Sequence, residues 1–257
     1  MSKDTGFGFK ETVIRTPSGL LQGIYEESSD QKHQIGTQYI EYGAGGTRLW
    51  RYVKVGASGI SRGQLQQGPA PIANHNNAAL GGTAAANQRE VVVVTTVTTA
   101  LTANQYDNGV FHINDADSEG TAYFIESATE SATPTIQLYD KLNEALAATT
   151  EFTLTANKYN GIIVAPTTLT GPLVGFPLID LTALYYGWIC TGGITAALVD
   201  TAETLVIGES VGYPATISVA GSVGVPAVTD VILGNVRSVN AASEYALIDV
   251  TNLDVAS

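Results

Sequence analysis

The chain has 257 residues, which is enough to bury a sizeable core in one large domain or in two smaller ones. Only 14% of the residues are charged, whereas small and β-branched residues are abundant, so the composition predicts an all-β protein. The net charge of −12 disfavours binding to polyanions such as nucleic acid. The lone Cys190 excludes an internal disulfide and lies in an apolar run typical of a buried side chain.

Targeting and membrane segments are not evident in the sequence. The N-terminal residues are polar and contain no apolar stretch of the signal-peptide type. The longest apolar stretches are interrupted by Pro, Gly, Thr or Asp before the roughly 18 residues that a membrane helix needs. We therefore expect a soluble protein that is made in a reducing cytoplasm and contacts no membrane.

Charge is distributed unevenly along the chain. Residues 1–89 contain nine basic and six acidic residues, a sum of +3, whereas residues 90–257 contain three basic and eighteen acidic residues, a sum of −15. One interpretation is that the N-terminal part docks on an acidic partner while the remainder stays in solvent. The alternative is that the acidic residues only solvate a β surface.

The organisation along the chain suggests two regions. Residues 1–30 read as an extended arm that is dispensable for folding, and residues 34–66 have a strand-like pattern. Residues 67–89 are rich in Pro, Asn, Ala and Gly without periodicity, which is typical of a linker. We therefore predict an N-terminal arm with a small β docking region and linker at 1–89, followed by an acidic β-barrel or β-sandwich body at 90–257.

Short strands separated by turn signals are predicted throughout the body, as in a sandwich or barrel. Only residues 140–148 have helical spacing, which fits one short helix or a turn. The predicted strands are 91–102, 109–114, 121–126, 134–139, 151–156, 161–165, 173–180, 184–190, 196–199, 204–208, 216–219, 230–238 and 244–250.

One phrase occurs twice: LTANQYDNGV at Leu101–Val110 and LTANKYNGII at Leu154–Ile163. Each copy ends a Thr-containing β-branched run, breaks at Asn-Gly and re-enters an apolar stretch, which is the pattern of strand, turn and strand. Neither copy contains a His, a Cys or a pair of facing carboxylates, which are the residues that catalysis most often needs. We interpret the copies as equivalent corners of one β body, of the kind that an internal duplication would produce.

The segment GESVG around Ser210 matches the pattern of a serine hydrolase nucleophile. A nucleophile of that type must lead into a helix, but Pro214 and β-branched alternation follow it here. All three histidines (His33, His75 and His112) precede Ser210, whereas the α/β-hydrolase order places the catalytic histidine after the serine. A hydrolase is therefore the least favoured function, and the chain is expected not to be an enzyme.

An acidic loop contains Asp115, Asp117 and Glu119, with Glu126 further along in the register of a calcium-binding loop. The flanking residues alternate like the two strands of a hairpin instead of forming helices. An acidic hairpin tip is thus the favoured interpretation, and these three residues are only a weak candidate metal site. Zinc-type spacing and phosphate-binding glycine motifs are lacking, so no cofactor is predicted.

Cationic and aromatic residues alternate between residues 48 and 63, a pattern that can bind single-stranded nucleic acid or a protein. Four cations in a chain of net charge −12 provide only weak electrostatic attraction to nucleic acid, so we favour contact with a protein. The candidate contact residues are Arg15, Arg48, Trp50, Arg51, Tyr52, Lys54 and Arg62.

Three phrases taken together resemble virion proteins of tailed bacteriophages, of the kind assigned as capsid decoration or cement proteins. They are QIGTQYIEYGAGGTRLWRYVKVGASGISRGQL, KYNGIIVAPTTLTGPLVGFPLIDLTALYYGWICTGG and the ending EYALIDV. The resemblance covers roughly residues 34–66 and 90–250.

The resemblance implies a β-rich homotrimer that is made in the host bacterial cytoplasm, attaches to the major capsid protein on the outer capsid surface and stabilises the head. Tyr185, Tyr186 and Trp188 would be anchors in the core or between subunits. Alternatives are a tail or baseplate component, a host-surface or glycan-binding module, or the major capsid protein itself. The last needs a long spine helix, for which no segment is suited.

Overall fold

A computed structural model describes residues 21–94, 99–251 and 253. Within these residues the chain forms fifteen strands and one 3-10 turn at Ala73–His75, which confirms the predicted all-β fold. No helix in this part of the chain is long and apolar enough to cross a membrane. The strands are β1 Gln38–Gly43, β2 Gly46–Val55, β3 Gln66–Gln67, β4 Ala78–Ala79, β5 Glu90–Val92, β6 Val110–Asp115, β7 Ala122–Ala128, β8 Thr135–Leu138, β9 Glu151–Thr155, β10 Asn160–Val164, β11 Leu173–Pro177, β12 Tyr186–Leu198, β13 Ser210–Tyr213, β14 Val231–Ser238 and β15 Tyr245–Val250.

The chain divides into two compact units. The split unit comprises Met1–Pro69 and Tyr159–Ser257, and the inserted unit comprises Ala70–Lys158. The predicted boundary at residue 89 therefore differs from both junctions. The physical reason is that β2 and β3 pair with β10, β11 and β12, so the N-terminal strands complete a sheet with the C-terminal part. The described strands before residue 70 therefore belong to the split unit and do not form a unit of their own.

The uneven charge along the sequence does not separate the two units either. The split unit contains nine basic and fourteen acidic residues, a sum of −5, and the inserted unit three basic and ten acidic residues, a sum of −7. Because the chain returns to the split unit after residue 158, its acidic C-terminal strands share a unit with the basic strand β2.

Five strands of the split unit pair in a closed circuit, in the order β2–β10–β3–β11–β12 and back to β2. Successive side chains of a strand point to opposite faces. Val53 and Val55 of β2 accordingly pack with Ile189 of β12 in one cluster, whereas Trp50 and Tyr52 of β2 pack in another. The sheet continues from β12 through β15 and β14 to β13.

The long strand β12 changes partner at Gly193. Its residues up to Gly192 pair with β2, and Gly193–Leu198 pair with β15. Gly193 has φ +87°, and a Cβ atom at this position would collide with the carbonyl oxygen of Thr47. Glycine is therefore required where the sheet bends away from β2. The sequence predicts two separate strands here, 184–190 and 196–199, and the structure joins them.

The inserted unit is a six-stranded sheet in the order β4-β9-β6-β7-β8-β5, with its own apolar core. The segment 140–148 is not helical; Leu142 and Leu146 are buried and their backbones bond to residues 84–88. The four-residue spacing of these leucines thus serves two successive docking points of an extended loop, which has bends and an isolated bridge at Leu146 in place of the predicted short helix or turn.

The two copies of the repeated phrase occupy different positions, so they are not equivalent corners of one body. The first copy leads into β6 of the inserted unit, whereas the second runs from β9 into β10 and joins the two units. The copies nevertheless meet, because β6 pairs with β9 and places Val110, the last residue of the first copy, opposite Thr155 of the second. In both copies the leucine and the tyrosine are buried, as Leu101 with Tyr106 and as Leu154 with Tyr159. The repeat therefore encodes buried anchors for a turn.

Candidate partner-binding surface

Strand β2 carries five of the seven predicted contact residues. It pairs with β1 on one side, where Arg48 lies opposite Glu41, and with β12 on the other, where Tyr52 lies opposite Trp188. The face that carries Arg48, Trp50, Tyr52 and Lys54 is rich in aromatic residues from all three strands. We call this set the aromatic cluster: His33, Tyr39, Trp50, Tyr52, Tyr186 and Trp188.

Trp50 and Tyr52 are fully buried. The prediction that they contact a partner directly is therefore corrected: both are core residues of the split unit. Tyr52 packs edge-on against Trp188 at 5.1 Å between ring centroids and stacks with Tyr186 at 6.2 Å. Of the two roles left open for Tyr186 and Trp188, the core role applies to Trp188, which is 1% exposed.

Residues 21–33, which we call the strap, cover the aromatic cluster. The side-chain amide of Gln22 donates to the carbonyl oxygens of Glu26 and Tyr186, at 2.8 and 2.9 Å, and its oxygen accepts from the Tyr52 hydroxyl at 2.6 Å. The Trp188 indole N–H donates to the Gln22 carbonyl at 3.1 Å. The described part of the predicted arm is thus an ordered layer of the fold, and the remainder lies outside the described residues.

His33 lies at the end of the strap and is buried against the rings of Tyr52 and Trp188. Burial lowers the pKa of His33, because the charged imidazolium would lose its hydration. Its Nε2 atom has no hydrogen-bond partner within the described part of the chain. This histidine is therefore a packing element of the cluster at neutral pH.

Arg48 is the most firmly held cation of β2. Its Nε and Nη2 atoms approach the Glu41 carboxylate at 2.8 and 2.9 Å, and its guanidinium lies 5.0 Å from the centre of the Trp50 ring. Partial burial alone would lower the pKa of Arg48, but the ion pair with Glu41 and a hydrogen bond with Tyr25 raise it. Tyr25 belongs to the strap and is 64% exposed.

The other cations of β2 also lie on aromatic rings. Arg51 donates to the Gly36 carbonyl at 2.7 Å and lies 5.7 Å from the Tyr159 ring centre. The Lys54 ammonium lies 5.8 Å from the Tyr186 ring centre. Arg48, Arg51 and Lys54 are each partly exposed, so they remain candidates for partner contact.

Arg62 lies apart from β2, on the loop before β3. Its guanidinium forms a bidentate pair with Asp180 at 3.2 and 3.0 Å. Hydrogen bonds from the Arg62 side chain and backbone lower the pKa of Asp180. Both side chains are more than half exposed, so water screens this pair. Arg15, the remaining predicted contact residue, lies outside the described residues.

The acidic loop is the tip of the β6–β7 hairpin, as its alternating flanks predict. Asp115 accepts from the backbone of Ala116 at 2.7 Å, and Asp117 accepts from the backbone of Ala147 at 3.0 Å. Within the described residues, no group of three or more His, Cys, Asp or Glu side chains is arranged to hold a metal ion. Asp115, Asp117 and Glu119 are therefore not assembled into a metal site.

Ser210 is exposed and opens strand β13, opposite Asn235 of β14. The following residues continue as a strand and not as a helix, but this strand lies where the sequence predicts a turn, and the predicted strands 204–208 and 216–219 do not form. His75 is buried in the inserted unit, where its ring bonds to the Tyr106 hydroxyl and the Thr99 carbonyl. These contacts give His75 a structural role.

Sequence reasoning missed three residues that shape this surface. Gln22 and Tyr25 lie in the predicted extended arm, and the sequence pattern does not identify Glu41 as the partner of Arg48. Alternation along β1 could have found Glu41, because it lies two residues from Tyr39 on the same face. The roles of Gln22 and Tyr25 depend on contacts across more than 160 and 20 residues of sequence, respectively, which local patterns do not encode.

Comparisons of the chain with protein-family models, with curated proteins and with solved structures found no match.

Proposed function

We propose that this chain is a structural virion protein that binds the major capsid protein on the outside of a phage head, as a homo-oligomer, and stabilises the shell. Two lines support the proposal: the resemblance described above and the all-β fold. The expected setting is the outer capsid surface, with no role for a cofactor.

One observation carries the assignment of the contact surface. Arg48 lies in a phrase that bears the resemblance, and it is held between Glu41, the Trp50 ring and the exposed Tyr25. Arginine and tyrosine are enriched among the residues that dominate binding energy at protein interfaces. A guanidinium fixed in one position loses little side-chain entropy on binding, which favours a specific contact. Arg48 and Tyr25 are therefore the proposed centre of the contact with the capsid.

The direct test is reconstitution on heads of the encoding phage that were prepared without this protein. Purified protein is added, heads are recovered by sedimentation, and bound copies are counted by mass spectrometry. We expect saturable binding at hundreds of copies per head. No binding, or a handful of copies per particle, would reject the decoration role and favour a tail component.

A substitution tests the surface itself. We expect Arg48→Ala to weaken head binding at least tenfold, which corresponds to about 1.4 kcal/mol. Arg89→Ala is the matched control, because Arg89 is an exposed arginine of the inserted unit. Its binding should equal that of the parent chain. Equal binding by both variants, with unchanged melting temperatures, would show that Arg48 is not in the contact.

A further inference from the structure

Both ends of the strap are bonded to one hydroxyl group. The Tyr52 hydroxyl donates to the side-chain oxygen of Gln22 at 2.6 Å, and it accepts from the backbone N–H of Lys32 at 3.1 Å. Gln22 lies near the start of the strap and Lys32 lies near its end. A displacement of the Tyr52 side chain therefore weakens both attachments.

His33 is packed directly against this point of attachment. Its ring lies edge-on to the Tyr52 ring, at 5.1 Å between centroids, and 5.3 Å from the centroid of the Trp188 ring. His33 is 6% exposed, and its Nε2 atom has no hydrogen-bond partner among the described residues. A neutral imidazole can occupy such a site at a modest cost, because it brings no charge into it.

A protonated His33 does not fit the same site. Both ring nitrogens of an imidazolium carry a proton, so Nε2 would become a buried donor without an oxygen or nitrogen acceptor. The faces of the Tyr52 and Trp188 rings can attract a cation, but they do not supply that acceptor. Because a buried charge is costly unless it is hydrogen-bonded, protonation favours exposure of the ring.

The carboxylates on the elements around His33 have cationic partners of their own. In the strap, Asp30 pairs with Lys32 at 3.6 Å, and on β1 Glu41 pairs with Arg48 at 2.8 Å. Burial is the cause of the lowered pKa of His33. An imidazolium at this position therefore gains no compensation from these two ion pairs.

The remaining charged and titratable groups of the cluster do not change their charge near neutral pH. The Lys54 ammonium of β2 lies over the Tyr186 ring of β12, at 5.8 Å from its centre. Burial raises the pKa of Tyr39 and of Tyr52, so both phenols stay neutral. Among the side-chain types of the aromatic cluster, only histidine changes its charge between pH 5 and pH 7.

The strap also carries part of the proposed capsid contact. Ile24 packs against the aromatic cluster, and the next residue, Tyr25, is hydrogen-bonded to Arg48. Release of the strap would therefore move Tyr25 away from Arg48 and divide the contact surface.

We propose that His33 is a pH-sensitive switch: protonation of its ring releases the strap, uncovers Trp188 and separates Tyr25 from Arg48. A released imidazole binds a proton below the ordinary histidine pKa of about 6.5, whereas the buried ring does so only at lower pH. The stability of the closed strap is therefore complete above that value and falls below it. The opening equilibrium rises by up to about tenfold per pH unit until the buried ring is also protonated. The effect on capsid binding rests on the proposed function, but the release of the strap does not.

Amide hydrogen exchange measured by mass spectrometry follows the opening of the strap. The N–H groups of Ser28 and Lys32 donate to Tyr186 and Tyr52, respectively, so a peptide that spans residues 28–32 reports it. Exchange at pH 7 and pH 5 is divided by the intrinsic rate at each pH. We expect the protection of this peptide to fall about fivefold or more between pH 7 and pH 5. The protection of β14 and β15 in the same unit should stay constant.

Substitutions of His33 identify the group responsible. His33→Phe keeps an aromatic ring and His33→Gln keeps a polar side chain, but neither can gain a proton, so the protection of the strap should not depend on pH in either variant. His112→Gln is the matched control, because His112 is an exposed histidine of β6, and it should retain the pH dependence of the parent chain. Constant protection in the parent chain, or an equal loss of protection in a folded His33 variant, would overturn the proposal.

Reconstituted phage heads test the consequence for the contact surface. We expect the parent chain to dissociate from heads at pH 5 and His33→Phe to remain bound. If the strap opens at pH 5 but both chains stay bound, the link between the strap and the contact surface is wrong. Absence of binding at both pH values would reject the capsid proposal and leave the exchange result unaffected.

Discussion

Asp200 shows how much one side chain can organise in a chain with few charges. It is buried in the loop between β12 and β13. Its carboxylate accepts hydrogen bonds from the backbone of Ala202, Ser218 and Val219 and from the hydroxyls of Ser218 and Ser222, all between 2.6 and 3.0 Å. The carboxylate thus substitutes for regular secondary structure in holding this loop to the sheet.

The ionisation of Asp200 makes the stability of this loop depend on pH. Burial alone would raise the pKa of Asp200, but the hydrogen bonds from Ser218, Ala202 and Val219 outweigh it and hold the pKa well below its ordinary value. The folded-state pKa is therefore lower than the unfolded value of about 3.9. The stability that this group contributes is complete above that value and is lost as pH falls through the folded pKa.

We predict that Asp200→Asn lowers the free energy of unfolding at pH 7 by about 1–3 kcal/mol, because an amide NH₂ would face N–H donors in a buried site. The difference between parent and variant should narrow as pH falls below about 4. Denaturant titrations at pH 7 and pH 3, followed by tryptophan fluorescence, measure both effects. Both tryptophans, Trp50 and Trp188, lie in the split unit with Asp200.

Asp30→Asn is the control for this substitution. Asp30 is exposed and forms an ion pair with Lys32 at 3.6 Å. Its replacement should change the free energy of unfolding by less than about 0.5 kcal/mol. Equal effects of the two substitutions would contradict a special role for Asp200.

At the scale of elements, the strap is hydrogen-bonded to strand β12 and to the loop that precedes it. The strap bonds to β12 through Ser28, whose backbone N–H and carbonyl both pair with Tyr186. Glu27 accepts from the backbone and hydroxyl of Thr182, at 2.7 and 2.9 Å. Residues 22–28 are therefore required to cover Trp188 and Tyr52, and the expectation that residues 1–30 are dispensable for folding needs revision.

We predict different results for two N-terminal deletions. Removal of residues 1–20 should leave the tryptophan emission maximum unchanged, because the bonds of Gln22 that cover Trp188 are all retained. Removal of residues 1–30 should shift the emission to longer wavelength and lower the melting temperature, because the covering of Trp188 is lost. Fluorescence is a clean measure, since both tryptophans of the chain are fully buried in this cluster.

A point substitution separates the effect of the strap's hydrogen bonds from the effect of shortening the chain. Gln22→Ala retains every backbone atom but removes the acceptor of the Tyr52 hydroxyl proton and one of the donors to the Tyr186 carbonyl, which keeps the Ser28 N–H. A cost of about 1–3 kcal/mol in the free energy of unfolding is expected. An intact emission spectrum and melting temperature after removal of residues 1–30 would show that the strap is not part of the fold.

At the scale of the whole molecule, the inserted unit has the features of an independent domain. Its core consists of residues between Leu80 and Leu154, with Phe111 and Phe152 stacked at 5.2 Å between ring centroids. It leaves the split unit after β3 and returns to it at β10, and these two strands pair with each other. Closely spaced ends are typical of domains that are inserted into another domain.

We predict that residues 70–158 fold when they are produced alone. Circular dichroism should show a β-type spectrum, and heating should give one cooperative transition. The matched control is the same fragment with Phe111→Ala, which removes a fully buried ring and costs about 3–5 kcal/mol. A fragment without a cooperative transition would show that this unit depends on the rest of the chain.

The sequence by itself determined the secondary-structure class and several local features. Abundant β-branched residues gave the all-β prediction, and alternating flanks identified the acidic loop around Asp117 as a hairpin tip. Pro214 and the β-branched alternation that follow Gly212 disfavoured a nucleophile at Ser210. Each of these conclusions depends on the period of two that a strand imposes on neighbouring residues, which is a property of the local sequence.

Only the tertiary structure decided how distant segments combine. Trp50 and Tyr52 are residue types that are common at contact surfaces, but the strap covers them here. Nothing in the sequence around β2 specifies the contact between Tyr52 and Gln22. The domain boundary failed for the same reason, because β2 pairs with β12 across more than 130 residues of sequence. Burial and strand pairing are set by such long-range contacts, so a residue pattern fixes the strand while the fold determines which face meets solvent.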